Sequence, residues 1–92
     1  MRLISQNGAI DVPYEMSAIR NDDGLIILFM VGETGKGSVI ATYSTSEKAE
    51  KAMEMLREKY KDYVKATNKS NFFTMFDYPK VFQLPQDEDV EV

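Results

Sequence analysis

Residues 38–64, SVIATYSTSEKAEKAMEMLREKYKDYV, change their period midway. Ser38 to Tyr43 are mostly β-branched or aromatic, which predicts a strand. Ala49, Ala52, Met53, Leu56, Tyr60, Tyr63 and Val64 then recur at helical spacing and form one apolar stripe. Between the two patterns, Ser44 and Glu47 have the spacing of a capping box, so the helix is expected to start there. Lys48, Lys51, Glu54, Arg57, Glu58 and Lys61 fall on the other faces and read as solvated. Loop composition at Thr67-Asn68-Lys69-Ser70-Asn71 predicts a helix end near Val64. A strand running directly into one long helix decides for an α+β domain.

Working outward, Leu3-Ile4-Ser5 and Ala9-Ile10-Asp11-Val12 flank Asn7-Gly8, a pair that favours a tight type I′ hairpin. Pro13 lacks an N–H and is expected to interrupt pairing and bend the chain. Glu15 to Arg20 reads as a further strand, and Asn21-Asp22-Asp23-Gly24 as a turn. Leu25 to Val31 is continuously apolar, the pattern of a central strand covered on both faces. Phe72 to Phe76 and Val81 to Leu84 follow the helix, and at least the second is expected to be a short strand ended by Pro85. The expected architecture is an antiparallel sheet of about five or six strands with the helix packed on one face. Residues 1–86 form the single domain and residues 87–92 an acidic C-terminal tail.

The chain has 92 residues, enough for one domain with a real but thin core. Its 11 basic and 15 acidic residues give a net charge of −4. That balance argues against general nucleic-acid binding, which needs a basic face. Cysteine and histidine are both absent, which removes disulfides, thiolate chemistry and the commonest general base and metal ligand. The acidic pairs and runs lack the spacing of a calcium loop. No activated nucleophile can be assembled from Ser-x-x-Lys or Gly-x-Ser-x-Gly patterns. The chain therefore reads as a protein that is not an enzyme, with no cofactor. The first residues are too short and polar for a signal peptide, and Leu25 to Val31 is too short to span a bilayer. A cytoplasmic protein with no membrane partner is expected.

Gly32 to Ser38, GETGKGS, imitates a phosphate-binding loop. A Walker A loop has a glycine five residues before its second glycine, where Met30 stands here. It also has Ser or Thr after its lysine, where Gly37 follows Lys36. The segment leads into a strand, so no helix N-terminus faces a phosphate. A hairpin loop over Gly32 to Gly37 is the reading.

The best supply of ligand-binding side chains is residues 65–80. Lys65, Asn68, Lys69, Phe72, Phe73 and Tyr78 combine cations, amides and aromatics, a mixture suited to stacking a base and pairing a phosphate. The same phenylalanines also suit closing the core over the helix, and for large aromatics in a small domain that is the favoured reading.

Met1 to Glu15, Ala41 to Arg57 and Val81 to Val92 are similar to a family of small proteins encoded by phages, prophages and mobile elements of Firmicutes. Tyr43 followed by Ser44-x-x-Glu47-x-Ala49 and a helix more loosely resembles phage anti-defence proteins, among them the Thoeris sponges that sequester cyclic nucleotide signals without cleaving them. These resemblances imply an anti-defence binding protein in the cytoplasm of the host bacterial cell, a homo-oligomer holding a small nucleotide ligand. They leave two alternatives. One is an inhibitor of a host defence protein, such as an anti-CRISPR that imitates nucleic acid with carboxylates. The other is a phage accessory protein without an immune role.

Overall fold

A computed structural model describes residues 1–32, 35, 37–68 and 81–92, with residues 66–68 described by backbone alone. Six strands and one helix occur among them: β1 (Arg2–Ile4), β2 (Asp11–Pro13), β3 (Ser17–Asp22), β4 (Leu25–Met30), β5 (Ser38–Thr42), α1 (Ser46–Asn68) and β6 (Val81–Gln83). The α+β class and single domain stand, but the strands form two three-stranded sheets and not one. The first has the order β2-β1-β6 and the second β3-β4-β5.

The first sheet is also not wholly antiparallel. β1 pairs antiparallel with β2 but parallel with β6, in a register that sets Leu3 beside Phe82. A parallel pair needs a long crossover, and the chain from Ile4 to Val81, with β2 to β5 and α1 inside it, supplies one. Leu3 is buried, and Leu84, just beyond β6, is buried too. Pro13 does not interrupt pairing. It sits opposite Arg2 in β2, an outer strand, where a missing N–H is tolerated.

The Asn7-Gly8 turn is wider than expected. Paired strands are separated by residues 5–10, and Gly8 (φ 79°) has a positive φ where Asn7 does not. The Asn7 amide oxygen instead accepts from Ser5 Oγ (2.8 Å) and from the Ala9 N–H (2.9 Å). The two positive φ angles of a type I′ turn belong to Asp23 (53°) and Gly24 (94°). That turn is two residues long, not four. β3 correspondingly starts later than Glu15, because Tyr14–Met16 form a 3₁₀ turn, and runs on to Asp22.

β4 is the central strand of the second sheet, and Ile26, Ile27 and Leu28 are buried in succession, as its continuous apolar run implies. The helix cap is Thr45, not Ser44: Thr45 Oγ1 accepts from the Lys48 N–H at 3.1 Å. Ser44 is drawn away because its N–H and hydroxyl both donate to Asp87. α1 also outruns Val64 by four residues. Its stripe faces inward as expected, with Ala49, Ala52 and Leu56 fully buried against Leu3, Ile26, Ile40 and Leu84. Among the described residues no helix is long and apolar enough to cross a membrane.

Candidate functional site

Of the expected ligand residues, Lys65 lies exposed in the last turn of α1 and Asn68 is its final residue. Lys69, Phe72, Phe73 and Tyr78 lie outside the described residues, as does Lys36 of the glycine loop. Helical geometry sets the company of Lys65. At about 100° per residue it shares a face with Glu54, Glu58 and Asp62, three carboxylates following one another about 6 Å apart along the axis. That face borders a groove of about 240 Å³ lined by Lys51, Glu54, Met55, Glu58, Lys59, Asp62 and Phe82. Two of its carboxylates are neutralised locally, by Lys51 at 3.4 Å from Glu54 and by Lys61 at 3.3 Å from Glu58. The groove has an apolar floor and more carboxylates than cations at its rim, a poor match to a polyanion.

Aromatic side chains gather elsewhere. Tyr14 packs on Tyr60 with ring centres 4.8 Å apart, and Tyr60 stacks on Tyr63 at 5.8 Å and 27°. All three are half-buried and pack against the core. The 3₁₀ turn after β2 carries Tyr14 to the helix, and the i,i+3 spacing of Tyr60 and Tyr63 stacks the other two. Desolvation, the Glu15 carboxylate and the neighbouring phenols raise the pKa of Tyr60, so its hydroxyl stays protonated. Glu15 in turn accepts from the Met1 ammonium at 2.7 and 3.1 Å, and that hydrogen bond is the main cause of its lowered pKa. Arg57, one turn before Tyr60, is exposed and makes no ion pair among the described residues. Lys65 faces away from this cluster, about 140° around the helix from Tyr60.

The tyrosine cluster escaped the sequence reading. In the sequence Tyr60 and Tyr63 belong to the core stripe, and nothing local pairs them with Tyr14. The only available signal was tyrosine, and not phenylalanine, at two stripe positions, since a phenol usually keeps one end wet.

The acidic C-terminus is partly committed to structure. Asp87 accepts from the Ser44 N–H (2.8 Å) and hydroxyl (3.1 Å), and Lys48 Nζ lies 3.5 Å from its carboxylate. The backbone hydrogen bond from Ser44 is the leading reason its pKa falls below the ordinary value. Val90 is buried, whereas Glu88, Asp89 and Glu91 are exposed. Tyr43 donates its hydroxyl to the Pro85 carbonyl at 2.7 Å; burial, then the Asp87 charge, push its pKa up to about 12. Among the described residues no group of three or more carboxylates is placed to hold a metal ion. In comparisons with known proteins, no family model, no curated protein and no solved structure matches the chain.

Proposed function

We propose that this chain is a non-enzymatic phage anti-defence protein that sequesters a small cyclic nucleotide signal in the cytoplasm of the host cell. The observation that supports this most is the half-buried Tyr14–Tyr60–Tyr63 cluster near Arg57, which makes no ion pair among the described residues. Stacking a base on such a ring is worth about 1–3 kcal/mol, and a guanidinium pairs phosphate oxygens bidentately. The perturbed groups Glu15, Tyr43, Tyr60 and Asp87 all answer to burial or to a structural neighbour. Sequestration without turnover asks for nothing more. Residues 65–80, with Lys65, Lys69 and their aromatics, remain a second supply of contacts for the same ligand.

The acid-rimmed groove favours the alternative, a host defence protein as the partner. Its mixed charges and the exposed Glu88, Asp89 and Glu91 suit a protein surface better than a phosphate. Isothermal titration with a panel of cyclic nucleotides separates the readings. Under the sponge reading at least one nucleotide binds, and Tyr60→Ala weakens it by about 5- to 150-fold. No binding across the panel, with capture of a defence protein that is lost on reversing Glu54 and Asp62 to lysine, would replace it with the inhibitor reading.

A further inference from the structure

Among the described residues four strands lie at sheet borders, and three of them are short or shielded. β2 and β6 are three residues long, and β2 ends in Pro13. The outer side of β5 is occupied by Gln6. Its N–H donates to the Ile40 carbonyl (2.8 Å), and its side-chain amide bonds both the Thr42 N–H (3.0 Å) and the Thr42 carbonyl (3.2 Å). β3 is different. It has six residues, no Pro or Gly, and an unbroken register against β4 from Ser17–Met30 to Asp22–Leu25. Such an edge is a template for another strand.

The two-residue turn makes Asp22 and Leu25 the closing hydrogen-bonded pair, so Ala18, Arg20 and Asp22 bond to β4. The alternate residues point their backbone groups outward. The Ser17 N–H is used by the Tyr14 carbonyl, but the Ser17 C=O and both groups of Ile19 and Asn21 have no partner among the described residues. The strand is also held in place: the Asn21 side-chain amide donates to the Ser46 carbonyl, the Ser46 hydroxyl and Glu50 of the first helical turns.

We propose that β3 pairs antiparallel with β3 of a second copy of this chain about a two-fold axis at Ile19, joining two three-stranded sheets into one of six strands. This deepens the homo-oligomer expectation and does not depend on which ligand is held. Three two-fold registers keep each face together. Centring on Asn21 would oppose Arg20 and Asp22, but it sets Ile19 against Asp23, which is in the turn with φ 53°. Centring on Arg20 sets two guanidinium groups directly opposite each other. Centring on Ile19 forms four inter-chain bonds, two between the Ile19 residues and two from Asn21 N–H to Ser17 C=O. It places Arg20 opposite Ala18 and the half-buried Ile19 beside its own copy.

Ala18 is exposed, so its substitution tests the pairing without disturbing the core. Sedimentation velocity of the full chain over a concentration series should show a monomer–dimer equilibrium. Ala18→Lys should raise the dissociation constant by about 2- to 30-fold, because it creates two symmetric cation–cation cross-strand pairs; Ala18→Glu should lower it by a similar factor. The double variant Ala18→Lys with Arg20→Glu should restore wild-type association. Effects of the opposite sign would point to the Arg20-centred register and overturn the proposal. So would a chain that is monomeric throughout, or a dimer indifferent to residue 18. Nucleotide titration reads the ligand site separately, so failure of one is not failure of the other.

Discussion

Asn7-Gly8 and Asp23-Gly24 are the same kind of dipeptide, yet one opens into a six-residue connection and the other closes a two-residue hairpin. The difference lies in what else each segment must satisfy. Asn7 spends its side chain on Ser5 and Ala9. Its neighbour Gln6 leaves the β1 ladder to bond β5, Pro85 and Gln86. Around Asp23-Gly24 the long-range bonds, from Asn21 to the first helical turns and from the Tyr43 N–H to the Gly24 carbonyl, leave the ladder intact, and the register runs unbroken for six residues on each side. A local turn signal prevails where tertiary contacts do not draw the flanking residues out of the ladder. The two sheets differ in the same way. The second is built around local hairpins, whereas the first is closed by residues far apart in sequence.

Gly24→Ala should break the tight turn and have the largest effect, about 3 kcal/mol or more in urea unfolding. An added Cβ would sit 2.8 Å from the Tyr43 carbonyl oxygen, at a φ of 94° that side chains avoid. Gly8→Ala should cost about 1 kcal/mol. Its φ is also positive, but the nearest atom to a Cβ is the end of the Gln83 side chain at 3.7 Å. Equal losses would mean that the two turns carry the same constraint and that the contrast is wrong.

Tyr43→Phe should cost about 1 kcal/mol, by leaving the Pro85 carbonyl without its donor. The same residue sets the alkaline limit. A phenol that ionises at 10.0 unfolded and at about 12 folded stabilises the protein fully below pH 10. That contribution is lost as pH rises from 10 through about 12. The phenylalanine variant should lose stability less steeply over that window in thermal melts. At the acid end the sign reverses. The lowered pKa of Asp87 contributes stability above its ordinary value of 3.8, lost as pH falls below it. Asp87→Asn should flatten this small acid-side slope. An unchanged slope would mean that the C-terminus is not held through Ser44.

What the sequence made legible follows the same division. The helix, its buried stripe, the central strand and β6 were readable because each repeats a pattern within a few residues. The split into two sheets was not, because pairing β1 with β6 joins Leu3 to Phe82 across most of the chain. The Thr45 cap was missed because Asp87, 43 residues away, captures Ser44. At the candidate site, Lys65 was named for its charge, but only the helix shows it among Glu54, Glu58 and Asp62. The tyrosine surface needed Tyr14 to meet Tyr60, 46 positions later, and no spacing rule connects them.

The most direct test of the account is a native mass spectrum of freshly purified full-length protein, since one spectrum reports both assembly and any small molecule carried along. The account predicts a dimer bearing an added mass in the range of a cyclic nucleotide, with that added mass lost in Tyr60→Ala while the dimer persists. A bare monomer for the wild-type chain would contradict it.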